Sequence, residues 1–259
     1  MATYWQDRQA AAQNAITNKT KKQIDKQIQK YYKSLTRQVI ADYESLYNQV
    51  LVKKAAGEAI SPATIYAMDK YWSMNAQLRK RLDKTNSSLV SMLSKLFEIS
   101  YWNSYDAIKI KGLRAFKTIN NDGVRQVLNS IWAADGKTWS ERIWGNLEQL
   151  KESLNDGLIH CVITGKKTSQ LKKILQERFD VSHSRADMLV RTELAHIQTV
   201  ATKQRYMDYG IQEVQIWASE DERRCPICGK LHEKIYPIGA TIPIPRHPNC
   251  RCCVVPVIK

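Results

Sequence analysis

Residues 2–56 contain neither glycine nor proline, the two residues that most readily interrupt a helix. Only one of seven prolines, Pro62, precedes residue 225. No apolar run approaches the ~18–20 residues that a spanning helix needs, so no membrane anchor is expected. The opening MATYWQDRQ lacks a charged-then-apolar signal pattern, which predicts a protein that is not exported. Internal repeats and low-complexity tracts are missing, as are a phosphate-binding glycine loop, a nucleophile elbow and a carboxylate cluster for magnesium.

What is present is basic. The 259 residues carry 40 Lys and Arg against 25 Asp and Glu, a net charge of +15 and a pI near 9.5. That balance predicts attraction to polyanions. Residues 1–110 hold 17 basic against 9 acidic side chains and residues 111–259 hold 23 against 16, so the charge is spread along the chain. The densest stretch has Lys19, Lys21, Lys22, Lys26, Lys30, Lys33 and Arg37 against Asp25 alone. It reads either as a solvated helix face or as a nucleic-acid contact. The interleaved Tyr31 and Tyr32 fit both.

The length suits one large or two ordinary domains. In the first part, Ile24, Ile28, Tyr31, Leu35, Val39, Tyr43, Leu46 and Val50 recur in steps of three and four, an amphipathic stripe. A straight helix over 2–56 would reach roughly 80 Å at 1.5 Å per residue. It therefore projects or folds against other helices. Gly57 ends it, and Ser61-Pro62 starts the next as cap and first helical residue.

Residues 62–110 predict further helix, with Ile65, Met68, Trp72, Leu78, Leu82, Leu89, Met92, Leu93, Leu96 and Ile99 as apolar positions and a turn at Lys84–Ser88. Gly112, Asn120–Gly123 and Asp135-Gly136 punctuate a region of shorter helices. Thr138-Trp139-Ser140-Glu141 is a capping box leading into a helix with Trp139, Ile143, Leu147, Leu150, Leu154 and Leu158 on one face. Gly165 closes the next turn, a short helix is expected over Thr168–Phe179, and Ser182 is read as the cap of a longer one stopping at Gly210. Beyond it, Glu213–Trp217, Thr241–Ile244 and Cys253–Val257 predict short strands. The expected fold class is mainly α with a small C-terminal β element (α+β): an N-terminal helical arm or bundle over 1–130, then a module over 131–259.

Five of the six cysteines lie in the last 35 residues. Cysteines in a chain made in the cytosol favour thiols or a metal over disulfides. Cys225-Pro-Ile-Cys228 supplies two ligands from one turn, and His247, Cys250 and Cys252 offer the rest of a tetrahedral Zn2+ site. The favoured set is Cys225, Cys228, His247 and Cys250, with Cys252 the chief substitute and Cys253 a core residue. Reduced structural cysteines without metal are the plainer reading. A sheet this small and proline-rich is marginal alone, and a metal over 213–259 would hold it.

Asp221–Leu231 around Cys225 and Cys228, then His247-Pro-Asn-Cys250-Arg251-Cys252, resemble the signature of phage head morphogenesis proteins, the minor head proteins similar to protein F of phage Mu. Leu189-Val190-Arg191-Thr192-Glu193, Gly210, Trp217 and Trp139–Trp144 match the same pattern, so the likeness spans roughly 135–256. The resemblance implies a minor capsid component of the virion interior near the portal, made in the host cytoplasm. It would bind portal protein and double-stranded DNA, with scaffold or major capsid protein as further partners, and in some phages it is ejected with the genome. Some members lack the first cysteine of the pair, so zinc is not implied family-wide. Others carry a toxin domain after the signature, and with seven residues beyond Cys252 none is expected here.

Arg191 and Glu193 lie about 200° apart around a helix, which argues against convergence on one substrate. Glu193 and His196 share a face and read as a structural polar pair tying the helix to the zinc element. No catalytic residue is assigned, and His160 and His183 read as packing or surface residues. His232 is an outside candidate for metal. The rival reading is a metal-dependent nuclease or other nucleic-acid-processing enzyme using Glu193 or His196. A cytosolic zinc-ribbon adaptor would explain the tail but not the long basic helix.

Overall fold

The computed structural model describes residues 3–218 and 225–258, with side chains from Gln6 onward. The order is α1 (Thr3–Ala55), α2 (Pro62–Tyr66), α3 (Asp69–Asp106), α4 (Asn121–Leu128), α5 (Trp139–Ile163), α6 (Thr168–Asp208), β1 (Glu213–Trp217), α7 (Pro226–Gly229), β2 (Ile235–Pro237) and β3 (Cys253–Pro256). The chain is thus mainly helical with a small C-terminal sheet. No helix among the described residues is long and apolar enough to cross a membrane.

The long glycine- and proline-free stretch is one helix, and Gly57 comes after it at φ +88, a conformation that favours glycine. Ser61 caps α2 in a box with Thr64, an arrangement that contributes about 1 kcal/mol. Between Ile28 and Leu35 the buried stripe runs through Tyr32, not Tyr31.

Further expectations are corrected. Lys84–Ser88 forms no turn, because α3 runs straight through it. Leu78, Leu82, Leu89, Leu93 and Phe97 hold one buried face, and each such burial contributes about 2 kcal/mol, more than the weak helix aversion of Asn and Ser. Trp72 and Ile99 lie off that face and are exposed. Ser182 caps nothing: it is buried inside the single helix α6, where Asn146 Nδ2 donates to its carbonyl at 2.9 Å. The expected strand at Thr241–Ile244 is irregular, since prolines at 243 and 245 remove alternate ladder donors. The second strand is β2 instead.

Two compact units emerge, each built from separate stretches of chain. The first comprises residues 1–25, 92–139 and 188–259; the second comprises 26–91 and 140–187. The second unit is helical. Tyr43 donates to Asn155 Oδ1 at 2.7 Å, and Arg81 pairs with Asp42. At Gly157 a Cβ would meet Ile174 at 3.2 Å, so glycine lets α5 and α6 approach closely.

In the first unit the sheet has the order β2-β1-β3, all antiparallel, with Ile216 opposite Val254 and Trp217 opposite Cys253. Val214, Ile216 and Val254 pack with Tyr206 of α6, while Trp217, Cys253 and Val255 pack with Ala10 of α1. β3 is buried throughout, which is why it reads as an apolar run without alternation. Its outer carbonyl at Val254 accepts Gln13 Nε2 at 3.2 Å, and Trp217 Nε1 donates to Asp7 at 2.9 Å. The start of α1 therefore covers one face and part of one edge of the sheet. α6 closes as expected: Gly210 sits at φ +76 and Ile211 N–H reaches back to the Tyr206 carbonyl at 3.0 Å.

Candidate metal centre

Cys225 caps the one-turn helix α7, and its Sγ accepts the Cys228 N–H at 3.2 Å. This turn presents two sulfurs to the same space. The second turn, His247–Cys250, closes through Cys250 N–H on the His247 carbonyl at 3.2 Å, with Asn249 left-handed at φ +61. His247 Nδ1 lies 2.8 Å from the Pro248 carbonyl, to which it donates as N–H. Nε2 is then left with its lone pair, 3.1 Å from both Cys225 Sγ and Cys228 Sγ.

Two overlapping groups of donors result, Cys225–Cys228–His247 and Cys228–Cys250–Cys252, with the ligand atoms in each within 4.8 Å of one another. Cys228 Sγ and Cys250 Sγ are 3.8 Å apart. A tetrahedral ion with bonds of ~2.3 Å separates two thiolates by roughly 3.8 Å, so the spacing suits a metal of that kind. Soft thiolates with one imidazole also suit it chemically. The cluster could hold a metal.

The sulfurs are electrostatically unequal. Cys250 is drawn down to about 5, first by the hydrogen bond from Cys252 and against the effect of burial. The same bond pushes Cys252 upward. Burial lifts Cys228 to about 12, and the Cys228 backbone N–H lowers Cys225. Cys250 is the ready thiolate, and Cys252 is the donor that steadies it. Cys253 stays out of the cluster, fully buried beside Trp217. His232 is placed elsewhere, its Nδ1 accepting the Ala218 N–H at 3.2 Å.

Of the other residues in the sequence signature, Thr192 touches this centre. Thr192 Oγ1 donates to the Met188 carbonyl at 2.8 Å and accepts the Asn249 N–H at 3.2 Å, docking the second turn on α6. Arg191 and Arg251 are half-buried nearby in sequence. Glu193 and His196 meet on Trp132: the indole N–H donates to Glu193 Oε2 at 2.9 Å, and the His196 ring stacks on it at 4.2 Å. Sequence reasoning passed over Trp132, whose only signal was a large aromatic in a short polar connection. Residues 221–224 of the signature lie outside the described residues.

Of the basic stretch on α1, Lys19, Lys22, Lys26, Lys30, Lys33 and Arg37 are exposed, and Lys21 pairs with Asp25 at 2.7 Å. Lys33 and Arg37 also line a groove of about 710 Å³ in the second unit, where Asp180 and Glu44 make the charge mixed.

A curated relative is NAD(+)--arginine ADP-ribosyltransferase EFV of Enterococcus faecalis (strain ATCC 700802 / V583), 22% identical over 271 residues. The match covers 90% of this chain and 55% of that protein, so the chain spans about half the length of this relative. No solved structure matches. Residues 152–255, which contain Thr192, Glu193, Trp217 and every candidate metal ligand, match the model described as Phage Mu protein F like protein. Over this segment, less than half of its length, the chain is similar to the phage Mu protein F-like family.

Proposed function

We propose that this chain is a minor head protein of a bacteriophage. It sits with the portal protein inside the procapsid and binds double-stranded DNA through phosphates without sequence preference. Zn2+ held by Cys225, Cys228, His247 and Cys250 serves as a structural ion. Four protein ligands leave no open position for chemistry. The observation that carries this reading is the coincidence of the family segment with one built cluster, in which α6 docks the metal-binding turn through Thr192. The positive charge supports the DNA contact.

Co-expression with the portal protein of the same phage tests the assignment: the two should co-purify, and mass spectrometry should find the chain in virions. Lack of both would overturn it. The activity named for the Enterococcus faecalis relative belongs to a protein of nearly twice the matched length. Glu193 is buried and holds the Trp132 indole, which argues for a structural carboxylate over an acid or base. Incubation with plasmid and divalent metals should leave the DNA intact. Cleavage lost on Glu193→Gln would favour the nuclease.

A further inference from the structure

Between Asp106 and Asp122 the chain carries no carboxylate, yet residues 109–117 hold Lys109, Lys111, Arg114 and Lys117. All four cations are exposed, and none pairs with a carboxylate among the described residues. Phe116 is 77% exposed and Leu113 is 42% exposed beside them. A surface serving only solubility has no use for a phenyl ring set among cations.

The segment is held in place from below. Arg205 Nε and Tyr209 Oη donate to the Ile108 carbonyl at 3.2 and 3.3 Å. The Phe116 N–H donates to the Asp208 carbonyl at 2.8 Å, and Thr118 Oγ1 donates to the Asp208 carboxylate at 2.6 Å. Lys117 lies over the Trp102 ring at 3.7 Å. Both ends of the loop are thus fixed to α6, and its tip presents charge and apolar surface without the ordering cost of a free strand.

We infer that the loop 107–120 is a DNA-contacting element, with Lys109, Lys111 and Arg114 on backbone phosphates and Phe116 against sugars or base edges. This rests on the DNA-binding reading above and names the surface that performs it. Basic side chains interleaved with an exposed aromatic fit nucleic acid: cations neutralise phosphates and release counterions, while a ring contributes contact independent of salt. The exposed cations of α1 have beside them only the half-buried Tyr31, since Tyr32 is buried, and no ring as open as Phe116.

The test is affinity of the full chain for a random-sequence DNA duplex across a salt series, with unfolding midpoints checked for each variant. The triple change Lys109→Gln, Lys111→Gln, Arg114→Gln should flatten the plot of log affinity against log salt by about 2.7 and weaken binding tenfold or more at low salt. Phe116→Ala should weaken binding several-fold at every salt concentration with the slope unchanged. The comparison is Lys26→Gln, Lys30→Gln, Lys33→Gln and Arg37→Gln on α1, which should change the slope less. No binding by the unaltered protein would overturn the DNA reading and this inference together. Binding whose slope survives the loop variant but falls with the α1 variant would overturn the inference alone. So would loop-dependent binding to phosphatidylserine vesicles with none to DNA.

Discussion

Cys228 belongs to both groups of donors, so no alternative set of ligands excludes it. Cys228→Ser should therefore abolish stoichiometric zinc, measured by metal analysis after dialysis. Cys252→Ser should retain the ion, since Cys252 acts on the site through Cys250. If Cys252→Ser lost the metal and Cys250→Ser kept it, the fourth ligand would be Cys252. Thr192 offers a second test. Thr192→Val keeps the shape but removes the acceptor for the Asn249 N–H, and should cost about 1 kcal/mol in urea unfolding.

These residues differed in how far the sequence revealed them. The clustering of Cys225, Cys228, His247 and Cys250 was legible because cysteines and histidine at short spacing are the pattern a metal site requires. The docking role of Thr192 was not, because a hydroxyl's partner 57 residues away leaves no local trace. Trp132, which joins Glu193 to His196, was equally silent.

Elements follow the same division. α1 was legible from what it lacks, and α5 from a capping box and an unbroken apolar face. The interiors of α3 and α6 run against the sequence pattern, where Lys84–Ser88 suggests a turn and Ser182 a cap. There, burial of Leu82, Leu89 and Phe179 settled the conformation. The loop 107–120 leaves no local signal because its order comes from Asp208 and Arg205 on another element.

Asp208 gives that loop a pH dependence. Burial alone would raise its pKa, but hydrogen bonds from Thr118, Tyr105 and Gln204 outweigh burial and hold the carboxyl below its ordinary value of 3.8. A carboxylate with a depressed folded pKa contributes stability that is fully present above the unfolded value and is lost as pH falls through the folded one. Asp208→Asn should therefore be less stable than the unaltered protein at pH 7. The gap should close as pH drops below about 4. A gap constant from pH 7 to pH 2.5 would show that the charge is irrelevant. In the same variant, trypsin should cut faster after Lys109, Lys111 or Arg114.

For the whole molecule, a metal held by this cluster would be coupled to the sheet. The sheet has only three short strands, with Cys228, Cys250 and Cys252 inside its core cluster. Metal removal should lower the thermal midpoint of the first unit, followed by Trp217 fluorescence during titration with a zinc chelator. An unchanged midpoint would favour reduced cysteines that pack without an ion.

The cover that α1 places over the sheet has a consequence in time. Asp7 and Trp217 bond across 210 positions, and Gln13 and Val254 across 241. A growing chain exposes the leading end of α1 on the ribosome long before its partners exist. Contacts of such sequence separation are late and slow to form. Until synthesis reaches β1 and β3, Ala10 lacks its apolar cover and Gln13 has only Gln198 of α6 to bond, and a chain released early would offer that face to any neighbour.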